Sequence, residues 1–177
     1  GSDPSSPEGR RIFDDDGFLC RMGLIELRRQ DHPLPSRIVN ASERFVRHLL
    51  GDGRFDGRVD NLLSWRSEQL MPGELLPDTV PFPDVPPLGS RHESAIVCMR
   101  SHQGSGAVCI AHHRLHMSGH PRVLILDAHD LPHDTSECRD AVYASLREAA
   151  LACTPMIVDA RRITADRVAE VISWVDQ

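Results

Sequence analysis

The sequence predicts an α/β fold, a parallel sheet with flanking helices, preceded by a small, mainly helical module. Three observations predict it. From residue 94 onward, short apolar runs alternate with helix-compatible segments, giving strand-helix three times over. Such alternation implies a parallel sheet covered by helices. Six prolines stand between residues 71 and 90, where neither a helix nor a central strand survives them. Before that break, the clearest periodic signal is helical, over Ile38–Leu50.

Residues 1–17 are polar and rich in Pro, Ser, Gly and Asp, and read as a disordered lead-in. Asp14-Asp15-Asp16 reads as a solvated charge run. Gly1-Ser2 reads as a cloning scar, with a longer natural chain expected. Residues 18–70 form the connector module. Within it, Gly23 suggests a helix end, followed by a strand over Leu24–Leu27. Asp31–Pro35 is a turn, because each proline restricts itself and the residue before it. In Ile38–Leu50, Asn40 or Ser42 can cap the helix, and Phe45, Val46, Leu49 and Leu50 fall on one face. Gly51 supplies the stop. Val59–Leu70 suggests a short helical piece carrying Leu62, Leu63 and Trp65.

Residues 71–93 form the Pro-rich linker, and 94–177 the α/β module. There the sequence predicts strands at Ala95–Met99, Arg122–Ala128 and Thr154–Ala160. Helices are predicted over Ala107–Met117, from a Thr135 or Ser136 cap through Cys153, and after Thr164.

The chain has 177 residues, suits one domain plus a small appendage, and is 40% hydrophobic but only 5% aromatic. Its core must therefore be mainly aliphatic. A formal net charge of −6 argues against a nucleic-acid-binding surface, so no nucleic-acid partner is expected. Five cysteines at 20, 98, 109, 138 and 153 show no paired spacing. Cys98, Cys109 and Cys153 sit in apolar surroundings and are expected to be buried free thiols. A cytoplasmic location is the simplest expectation. No apolar run approaches the ~20 residues of a membrane span, and no membrane partner is expected.

The stretch Ala95–Val108 has the layout of a phosphate-binding loop: apolar run, glycine turn, helix. Gly104, Ser105 and Gly106 are the candidate nucleotide-binding residues of the turn. Ala107 and Val108 stand where a working loop carries the lysine and the hydroxyl that handle phosphate and Mg²⁺. Met156–Ala160 has the shape of the acidic strand of such sites, and Asp159 could orient a metal. Ala160 stands where a water-activating glutamate would be. Without lysine, hydroxyl and glutamate, phosphoryl transfer loses its charge stabilisation. The expectation is therefore no catalytic residue, no resident metal and no cofactor, with ATP and Mg²⁺ as the candidate ligands of a residual site.

On Arg37–Gly51, Arg54–Val59 and Gly23–Leu27, together with the degenerate loop, the chain resembles a family of bacterial AAA+ ATPases. These carry a winged-helix region, a degenerate ATPase-like domain and an active ATPase domain, and some are encoded with contractile injection machinery. The resemblance implies that the α/β module is a partial P-loop-type (AAA+-like) sheet, truncated before its fourth strand. That strand would lie between the first and third, so the sheet should have open edges that invite pairing. The implied function is a non-catalytic module serving as scaffold or assembly element. Its implied partners are other domains or subunits of an AAA+ assembly, with self-association. One alternative is a weak nucleotide-binding or residual NTPase module.

A further alternative is a metal-dependent hydrolase. His112, His116 and His120 are spaced by four, His113 is adjacent, and His129 and His133 follow near Asp127 and Asp130. No paired cysteines or His-Glu-x-x-His complete a site. Ser101, Ser105 and Ser118 stand near histidines but in no nucleophile elbow.

Overall fold

The computed structural model describes residues 17–28, 38–67, 97–100 and 106–175. The lead-in before Gly17, the turn at 31–35, the linker 71–93 and the loop residues Gly104 and Ser105 lie outside the described residues.

The chain is mixed α/β. The first elements are a one-turn helix α1 (Phe18–Arg21), strand β1 (Ile25–Arg28), strand β2 (Ile38–Ala41) and helix α2 (Glu43–Leu49). Gly23 separates α1 from β1 with φ +61°, a left-handed conformation that glycine adopts without strain. β1 and β2 pair antiparallel, Ile25 opposite Ala41 and Arg28 opposite Ile38. The predicted helix from Ile38 is thus corrected: its first turn is a strand. Ile38 and Val39 are β-branched and suit a ladder, and the Ser42 hydroxyl accepts from Phe45 N at 3.3 Å, which fixes the helix start after them. Gly51 ends α2 at φ +86°, as expected.

The apolar residues grouped on one face of α2 are not what the helix buries. Its buried residue is Arg44, whereas Val46, Leu49 and Leu50 are exposed at 40%, 68% and 82%.

Next comes strand β3 (Leu63–Arg66), where a helical piece was expected. Helix α3 (Ala107–Met117), strand β4 (Val123–Asp127), a 3-10 turn (Ala128–Asp130), helix α4 (Thr135–Leu151), strand β5 (Met156–Asp159) and helix α5 (Ala165–Val175) complete the order. The sheet runs β3-β4-β5. β3 is antiparallel to β4, with Leu63 opposite Leu126, and β4 is parallel to β5, with Asp127 opposite Asp159. The expected all-parallel sheet is therefore corrected to a mixed one. Its third strand comes from before the Pro-rich stretch, because Leu63 and Trp65 match the apolar face of β4. The strand expected at Ala95–Met99 is not one over its described part: Val97–Arg100 has no regular structure.

Alternation along the strands makes the sheet two-faced. Leu63, Leu126, Met156 and Val158 face the core with Val59, Leu62, Cys138, Ala141, Val142 and Val171, so α4 and α5 cover that side. Ser64, Ile125 and Asp159 line a cleft on the opposite side, bordered by α3. β4 is the central strand, and Val123, Leu124 and Leu126 are fully buried.

α4 starts at Asp134, whose carboxylate accepts from Ser136 N and Glu137 N, both at 2.9 Å; the cap is one residue earlier than expected. It stops at Leu151, where Cys153 takes φ +47° and Thr154 N reaches Ala149 O at 3.0 Å. No cysteine is in a disulfide. Cys138 is buried, whereas Cys98 and Cys153 are exposed and Cys109 is half-buried, which corrects the burial expected of those three.

Candidate functional site

The parallel pair β4-β5 brings two carboxylates together at its carboxyl edge, the usual ligand edge of such sheets. Asp127 and Asp159 are register partners. Each is met by an arginine of the loop that follows β5. Arg161 bonds Asp159 through Nε at 2.8 Å and through its own backbone N at 3.3 Å. Arg162 Nη2 pairs with Asp127 Oδ2. The Arg161 guanidinium holds the Asp159 carboxyl below the usual carboxylate range, against an opposing effect of burial. A carboxylate whose lone pairs are taken up this way is a poor cation ligand as it stands.

Asp159 lines a cleft of about 480 Å³ together with Gly106, Val108, Cys109, Arg66 and Arg161. The structure thus brings together two of the four sequence-predicted site residues. Gly106 takes φ +71° at the N-cap of α3, with no side chain to obstruct the helix end. Ala107 is buried and Val108 lines the cleft, so both residues that open α3 there are aliphatic. Trp65 also borders the cleft, but its ring is engaged: Phe55 stacks on it at 5.7 Å between centroids, and the Arg122 guanidinium lies 4.2 Å from its centre. It is not a free platform for a base.

Arg66, Arg161 and Arg162 were missed at the sequence level. For Arg161 and Arg162 a signal existed, since two arginines directly follow the Asp-ended strand. For Arg66 there was none, because its place depends on a strand pairing about sixty residues away.

Among the described residues, no group of three His, Cys, Asp or Glu side chains is placed to hold an ion. His112 and His120 are buried, and among the described residues His112 Nε2, His116 Nδ1 and His120 Nδ1 are buried without a hydrogen-bond partner.

A second polar constellation lies on the far side of α4, where the first module docks. Arg44 Nε and Nη2 bond both oxygens of Glu148, at 2.7 and 2.6 Å, and both side chains are buried. Arg147, also buried, pairs with Asp56 and donates to the carbonyl of Gly23 at 3.3 Å. Arg58 bonds Asp56 as well, at 2.9 Å, and lowers its pKa to about 2. These charges tie residues 18–66 to α4, and among the described residues one buried donor, Arg147 Nε, is left without a hydrogen-bond partner.

Compared with protein-family models, with curated proteins and with solved structures, the chain matches none.

Proposed function

We propose that this chain is a non-catalytic α/β module of partial P-loop type, working as a scaffold or assembly element of a larger AAA+-like ATPase. The observation that carries the reading is the exposed apolar face of α2. Val46, Leu49 and Leu50 belong to an amphipathic pattern yet stand in solvent, as on a surface kept for a partner. The ligand edge supports the non-catalytic half: Asp159 is occupied by Arg161, and Ala107 and Val108 open α3. Val97–Arg100 lacks regular structure, in keeping with a sheet whose neighbouring strand comes from elsewhere.

A second reading, weak nucleotide binding, draws on one observation: Gly106 and Asp159 share a cleft with Arg66 and Arg161. Titrating a fluorescent ATP analogue with Mg²⁺ into the purified protein separates the two. The scaffold reading expects no saturable binding at millimolar nucleotide and no phosphate release. Saturable binding that is lost in Arg161→Ala would replace it with the second reading.

A further inference from the structure

α3 is held more lightly than α4. The face of α4 buries eight residues, whereas α3 buries three: Ala107, His112 and Leu115. A histidine therefore sits at the centre of a thin apolar seam, 1% exposed, with its Nε2 unpartnered. A turn further on, His116 Nδ1 is also buried and unpartnered. At the helix end, His120 N bonds Leu115 O at 2.9 Å, and its ring, 3% exposed, holds a third unpartnered nitrogen. A neutral imidazole tolerates such a place; an imidazolium needs an acceptor for each N–H.

Among the described residues, the charged groups that act on His112 are all cationic. Arg66 on β3 and His113 and His116 on α3 act on it with like charge. β5, on which α3 packs, carries one titratable residue, Asp159, and Arg161 holds it. We infer that α3 is an acid-released latch: proton uptake at His112 detaches the helix from the sheet and opens the cleft beside Gly106.

The sign follows from burial. Desolvation, then Arg66, pushes the His112 pKa below its ordinary value, so both folded and open forms are neutral at pH 7.5. As pH falls below ~6.5 the open form takes up the proton ahead of the closed form. The open population then grows, by at most about tenfold per pH unit for one histidine.

Hydrogen exchange read peptide by peptide tests this. Corrected for intrinsic rates, protection across α3 should fall by several-fold, up to about tenfold, between pH 7.5 and 5.5, with α4 unchanged. In His112→Leu the protection of α3 should be flat over the same range. Unchanged protection of α3 in the native protein, or equal loss in α3 and α4, overturns the latch. So does a His112→Leu protein that still loses α3 protection. Should that variant not fold, the imidazole resonance of His112 in the native protein decides. Proton uptake coinciding with α3 exchange supports the latch, and uptake at a different pH removes it.

Discussion

Breaking the buried Arg44–Glu148 pair should cost more from one side than from the other. Glu148 is held bidentately by Arg44 and has a second cation nearby, with Arg147 Nε 3.9 Å from its Oε1. In Arg44→Met, Glu148 keeps that second cation. At an effective dielectric of about 20, two charges about 4 Å apart still attract by roughly 4 kcal/mol before desolvation. In Glu148→Gln, both Arg44 and Arg147 lose their anion, Asp56 alone remains beside Arg147, and one positive charge is stranded in the interior. Removing one partner of a buried pair typically costs about 3–5 kcal/mol. Arg44→Met should therefore fall near the lower end and Glu148→Gln near the upper. The double variant Arg44→Met/Glu148→Leu should recover much of the loss, because no unpaired charge is left. Urea unfolding followed by tryptophan fluorescence measures all three. A loss below about 1 kcal/mol for either single variant, or a larger loss for Arg44→Met, would refute the claim that this pair docks the first module on α4.

Three further outcomes follow from the same packing. Asp56, at about 2 against an ordinary 3.8, contributes stability that is full above pH ~4 and lost as pH falls toward 2. That is about 2 kcal/mol, so Asp56→Asn should flatten the acid limb of a stability–pH curve, and an unchanged limb would contradict it. Gly23→Ala places a Cβ 2.6 Å from Arg147 Nη1 at a residue with φ +61°; it should lower stability by more than about 2 kcal/mol, and a neutral effect in urea unfolding would contradict the close approach. Cys153→Gly removes a strained left-handed cysteine at an exposed helix end and should raise stability by up to about 1 kcal/mol; a lowered melting temperature would count against the assigned conformation.

How much of this was legible in the sequence depends on the range of the interactions. α3, β4, α4 and α5 were read nearly to their bounds, because local periodicity and caps such as Thr164 encode them. β3 was not: Leu63–Arg66 is four residues long, and only its pairing with Val123–Leu126 makes it a strand. β2 was hidden because Ile38 and Val39 fit the start of an apolar helical face as well as a ladder. The outward turn of α2 was equally unreadable, since its burial is decided by Arg44 reaching Glu148, 104 positions away. At the candidate site, Gly106 and Asp159 were found from spacing and do share a cleft. That Asp159 is already occupied required Arg161 to fold back on it from the next loop.

The most direct test of the assembly role is sedimentation velocity of the protein over a range of concentrations, beside Leu49→Asp/Leu50→Asp. These residues are exposed, so the variant should keep its fold. The scaffold account predicts that the native chain associates as concentration rises and that the variant stays monomeric. A native chain that remains monomeric at high micromolar concentration, or a variant that associates equally well, would contradict it.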